Sequence, residues 1–100
     1  MFKAKLEFIL QMIDDIEFII NRHGYITKSL EDREGQLAIL IALMQIGETL
    51  NKIDKKFLEN YDLLNDSKGA YSVRNFITHD YGYNIPRLKD KILKILEDNI

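Results

Sequence analysis

The chain has 100 residues, 46% hydrophobic and 30% charged, with one proline, five glycines and no cysteine. That is material for one domain with a single core, and it excludes a multidomain enzyme, a disordered chain, disulfides, thiol nucleophiles and thiolate metal or iron–sulfur sites. Fourteen Lys and Arg against sixteen Asp and Glu leave a net charge of −2, so no global field attracts a polyanion and any RNA contact has to be local.

From Phe2 to Ile20 the residues Phe2, Leu6, Ile9, Ile13, Ile16 and Ile20 recur in steps of four and three, the spacing of one helix face. This first helix is expected to stop near Gly24, with His23 as a C-terminal cap where a cation suits the helix dipole. Thr27 or Ser29 then caps a second helix, Asp32 falling three residues after Ser29 in a weak capping-box pattern, and the helical pattern continues to about Ile53. Its centre, Leu37 to Met44, is eight consecutive apolar residues. A helix that is apolar all round needs cover on more than one side, which points to a homodimer seam. Gly47 sits within the same helix, either to let another backbone approach or as a tolerated glycine near the helix end.

Residues 54–66 carry a shorter helical pattern through Phe57, Leu58 and Tyr61, and the polar stretch 65–69 reads as a connector. A third long helix is predicted over 70–81 and ends at Gly82, and Pro86 suits the first turn of a last helix with Leu88, Ile92 and Ile95 facing the core. No strand alternation appears, so the expected fold is all-α, an up-and-down bundle of four or five helices in a single domain over residues 1–100. The least polar stretch, 35–47, falls short of the roughly 20 residues that span a bilayer, and Lys3, Lys5 and Glu7 interrupt the N-terminus as they would not in a signal peptide. The expectation is a soluble, cytoplasmic protein with no membrane partner. A globule of this size encloses no deep cavity of its own, so a site at the surface or between subunits is expected, with no cofactor.

Phosphate-cradling glycine loops, HExxH, EF-hand and nucleophile-elbow motifs are absent from the sequence. The adjacent acids Asp14-Asp15 and Glu31-Asp32 point about 100° apart on a helix and read as solvated surface, so no metal site is expected. The stretch that stands out is Arg74-Asn75-Phe76-Ile77-Thr78-His79-Asp80-Tyr81. On a helical wheel with Arg74 at zero, Phe76, Val73 and Ile77 span about 200° to 300°, a core-facing arc. Asn75 at about 100° and His79 at about 140° join Arg74 on the arc facing away from the core, and Tyr81 at about 340° lies on the Arg74 side. Any amphipathic helix has such a polar face. Here, however, one of only two histidines and one of four arginines fall beside a tyrosine within eight residues.

Arg74-x4-His79-x-Tyr81 resembles the R-x4-H-x-Y signature of the HepT-like toxins in the HEPN superfamily of small helical proteins. Gln45-Ile46-Gly47-Glu48-Thr49-Leu50 is similar to the apolar helix with an IGE segment that precedes the signature, and Arg74-Asn75 with His79-Asp80-Tyr81 matches the common RN…HDY wording. The chain departs from the family by being short and by lacking the Trp and Pro often found between these two helices, where it has Asn65 to Ala70. The resemblance implies a homodimeric antiparallel bundle with both motifs facing a shared cleft, and metal-independent cleavage of RNA. It also implies a toxin of a type II-like toxin–antitoxin pair, whose partner is a minimal nucleotidyltransferase antitoxin, MntA-like. In some systems that partner silences the toxin by transferring AMP to the motif tyrosine. Carried over residue by residue, Arg74 and His79 become catalytic and Tyr81 the adenylylation acceptor.

The chemistry is compatible with that implication. Metal-free RNA cleavage needs a base for the 2′-hydroxyl proton, an acid for the leaving 5′-oxygen and positive charge on the phosphorane. Two copies of His79 across a twofold axis would supply both protonation states, two Arg74 guanidinium groups would grip the phosphate, and Asn75 would orient His79 or bind a phosphate oxygen. The alternative is a non-catalytic HEPN subunit that binds nucleotide or substrate for a minimal nucleotidyltransferase, and the acidic net charge speaks for it. Tyr83 reads as a packing residue.

Overall fold

Five helices carry almost all of the residues that the computed structural model describes, which are 2–24, 26–64 and 85–98. They are α1 (Phe2–His23), α2 (Ile26–Glu31), α3 (Arg33–Asn51), α4 (Lys55–Asn60) and α5 (Ile85–Asp98). No strand occurs among the described residues, so the fold class is all-α as expected.

The stripe on α1 behaves as its spacing predicts. Leu6, Ile9, Ile13, Ile16 and Ile20 are buried, and Phe2 packs half-buried against the same core. Burial of each such side chain is worth roughly 1.5–3 kcal/mol, and this stripe is the spine against which α2, α3 and α5 pack. On α5, Ile85, Leu88, Ile92 and Ile95 face that core, and Pro86 occupies the second position of the helix, where its missing N–H leaves no bond unmade. Lys89 fixes α5 to α1 through Glu17 Oε1 at 3.2 Å.

The long second helix expected from Thr27 or Ser29 to about Ile53 is two helices. Thr27 and Ser29 lie inside α2, Ser29 fully buried, and Asp32 in extended conformation (φ −78°, ψ 127°) breaks the chain before α3. Asp32 itself is the N-cap: its Oδ2 accepts the Gly35 N–H at 2.8 Å. The break holds because a Cβ at Gly35 would run into the Ser29 carbonyl oxygen, so only glycine lets α3 start this close to α2. The eight-residue apolar run on α3 then divides between two faces. Ile39, Ala42 and Leu43 enter the core with Ile46 and Leu50, whereas Leu37, Ile41 and Met44 are 48%, 58% and 51% exposed, an apolar ridge at positions i, i+4 and i+7. Gly47 lies half-buried within α3.

Within the pattern over 54–66, α4 ends at Asn60. A Schellman turn stops α4: Asp62 takes φ 59°, its N–H donates to the Glu59 carbonyl, and the Leu63 N–H donates to the Leu58 carbonyl at 2.8 Å. The turn drives Leu63 into the core, where it is fully buried. The predicted connector over 65–69, the helix over 70–81 and its stop at Gly82 lie outside the described residues. No helix of the described residues is long and apolar enough to cross a membrane.

Candidate functional site

Arg74, Asn75, His79 and Tyr81, together with Tyr83, lie outside the described residues. The structure defines the frame on either side of them. Leu63 and Ile85, the nearest core residues before and after 65–84, are both buried. Lys91 on α5 bridges the two flanks, donating to the Asp62 carbonyl at 2.9 Å and lying 3.6 Å from its carboxylate. The segment that carries the motif therefore begins and ends at anchored points.

The second histidine sits elsewhere, at the end of α1. His23 Nδ1 donates to the Ile19 carbonyl at 2.9 Å, the C-terminal capping role expected of it. Its Nε2 lies 3.5 Å from Asp32 Oδ2, a pairing that the sequence reading did not foresee. A groove of about 260 Å³ opens here between Phe18, Ile19, Arg22, Ala38 and the Asp32–Gly35 turn. With one ring nitrogen on a backbone carbonyl and the other facing a carboxylate, His23 has no free edge for a substrate, and the pair ties α1 to the start of α3. Asp14, Asp15, Glu31 and Asp32 are surface or half-buried carboxylates, and no cluster of three His, Asp or Glu of metal-holding geometry occurs among the described residues.

At the opposite end of α1 a cleft of about 380 Å³ is lined by Phe2, Lys5, Lys52, Ile53, Asp54 and Phe57. The first turn of α1 brings Phe2 and Lys5, the α3–α4 corner brings Lys52, Ile53 and Asp54, and α4 brings Phe57. Phe2 and Phe57 have ring centroids 4.6 Å apart at an interplanar angle of 31°, and Phe57 and Tyr61 repeat the 4.6 Å spacing at 39°. Such tilted, offset pairs suit the aromatic quadrupole. Asp54 is the α4 N-cap, its Oδ1 accepting the Lys56 N–H at 3.4 Å.

No family model, curated protein or solved structure matches this chain. Function therefore has to be argued from the residues themselves. Sequence reading passed over Lys5, Lys52, Phe2 and Phe57 as a group because α1 and the α3–α4 corner meet only once the chain has folded back. The available signal was the order of the elements: two consecutive long helices with a short connection run antiparallel, which sets residues 2–5 beside residues 52–57.

Proposed function

We propose that this protein is a HEPN-like, HepT-type toxin: a homodimeric, metal-independent ribonuclease that a minimal nucleotidyltransferase antitoxin neutralises by adenylylating Tyr81. The observation that carries the reading is the spacing Arg74-x4-His79-x-Tyr81 within the RN…HDY wording. The all-α fold is consistent with it, and the exposed ridge Leu37, Ile41 and Met44 offers apolar surface for a second copy.

In this reading one His79 takes the 2′-hydroxyl proton as the O2′–P bond forms, and its symmetry mate donates a proton to the 5′-oxygen as the P–O5′ bond breaks, leaving a 2′,3′-cyclic phosphate and a 5′-hydroxyl. Arg74 stabilises the phosphorane charge, and Asn75 orients the imidazole. An adenylyl group on Tyr81 would place a phosphodiester charge where the substrate phosphate must sit.

Expression of the wild type, Arg74→Ala and His79→Ala, with growth and RNA cleavage in EDTA as readouts, tests the assignment. Arrest and cleavage by the wild type alone are expected, and equal toxicity in all three would remove the catalytic roles. Intact mass after co-expression with the nucleotidyltransferase should show an AMP adduct that Tyr81→Phe lacks. The acidic charge balance favours a second reading, a non-catalytic subunit that binds nucleotide or substrate for the nucleotidyltransferase. Co-purification of the two proteins without RNA loss in any assay would select it.

A further inference from the structure

We propose that the cleft between Phe2, Lys5, Lys52 and Phe57 is a binding platform for single-stranded nucleic acid. Two of its features together suit such a ligand. Phe2, Phe57 and Tyr61 form a run of half-buried rings, packed on the core on one side and reaching the surface on the other. Flat apolar faces of this kind stack on bases whatever their sequence. Lys5 and Lys52 line the same cleft, and neither ammonium group has an ion pair or a hydrogen-bond partner among the described residues.

Two lysines of α5 differ from this pair. Lys89 and Lys91 are both held by acidic residues, through Glu17 and Asp62. At the cleft, the ammonium groups of Lys5 and Lys52 have no such partner among the described residues. The carboxylate in the lining, Asp54, is occupied in capping α4. A chain of net charge −2 thus sets two ammonium groups against one carboxylate, Asp54, beside aromatic faces.

An inorganic anion would have no use for the rings, and an aliphatic ligand none for the ammonium groups. A nucleotide strand uses both, its base extending the stacked run of rings from Phe2, which Phe57 supports from behind, and its flanking phosphates on Lys5 and Lys52. A duplex keeps its bases stacked inside and can use only the charges. The lining named for this platform, Phe2, Lys5, Lys52 and Phe57, lies wholly among the described residues, and the proposal does not depend on the ribonuclease reading.

The test uses the full chain carrying His79→Ala, so that loss of the probe by cleavage cannot be mistaken for loss of binding. Fluorescence anisotropy is read with a labelled mixed-sequence oligodeoxynucleotide of about 20 nucleotides, single-stranded or annealed to its complement, at about 50 mM salt. The single strand should bind at least about fivefold tighter than the duplex. Lys5→Glu combined with Lys52→Glu should weaken single-strand binding by about tenfold or more and lower the slope of log affinity against log salt by about 1.4, two contacts at roughly 0.7 each. Phe57→Leu, which keeps the charges, should weaken it by about fivefold. Absence of binding, equal affinity for strand and duplex, or unchanged affinity in either variant overturns the proposal. If Phe57→Leu melts earlier than its parent, the lysine pair alone decides.

Discussion

The two ends of the α1–α3 pair are built around different polar groups. At one end His23, Asp32 and Gly35 form a closed set in which the imidazole bonds a carbonyl and faces a carboxylate, and that carboxylate caps the next helix. At the other end Lys5 and Lys52 stand unpaired beside aromatic rings. The same two helices supply both ends, so the difference lies in what each end does. Satisfied polar groups hold helices together, whereas uncompensated charge beside apolar surface is available to something outside the protomer.

Substitutions can break or sharpen that contrast. Leu43→Ala removes core packing on which both ends depend and should cost about 2–5 kcal/mol in urea unfolding, more than any change at either end alone. Gly35→Ala forces a methyl group toward the Ser29 carbonyl, which is backbone and cannot swing aside, and a loss of about 1–3 kcal/mol is expected. Asp32→Ala removes the α3 cap and the partner of His23, for about 1 kcal/mol, while Asp32→Asn keeps a capping oxygen and should lose less. Lys52→Ala at the open end should move the urea midpoint by no more than about 0.5 kcal/mol equivalent. A Lys52→Ala penalty as large as that of Asp32→Ala would show that the open end is structural too.

Much of this architecture could be read in advance, for identifiable reasons. The α1 stripe recurs in steps of four and three, and Pro86 with Leu88, Ile92 and Ile95 marks both the start and the face of α5. The second helix was misjudged at its beginning because Ser29-x-x-Asp32 imitates a capping box, whereas the operative cap is Asp32 onto the Gly35 N–H. The better clue was Gly35, a residue unfavourable inside a helix unless a neighbouring backbone requires it. Leu37 to Met44 has no internal period, so spacing alone could not say which of these residues enter the core and which form the ridge. The end of α4 was placed too late because the left-handed residue that stops it is Asp62 rather than a glycine. As for the site, Arg74, Asn75, His79 and Tyr81 were picked out by their spacing and lie outside the described residues. The cleft built by Phe2, Lys5, Lys52 and Phe57 joins segments remote in sequence and needed the fold to be seen.

The Asp32 cap also bears on the order in which the molecule assembles. Its bond to Gly35 closes over three positions and its pairing with His23 over nine, whereas the Lys89–Glu17 bond joining α5 to α1 closes over 72. Short closures confine little chain and form early. The α1–α3 hairpin should therefore be the first cooperative unit, with its core amides protected from exchange early in refolding and those of α5 acquiring protection afterwards. The kink that interrupts the expected long helix is then what lets the chain reverse direction and create, in one local event, the surface on which the remaining helices condense.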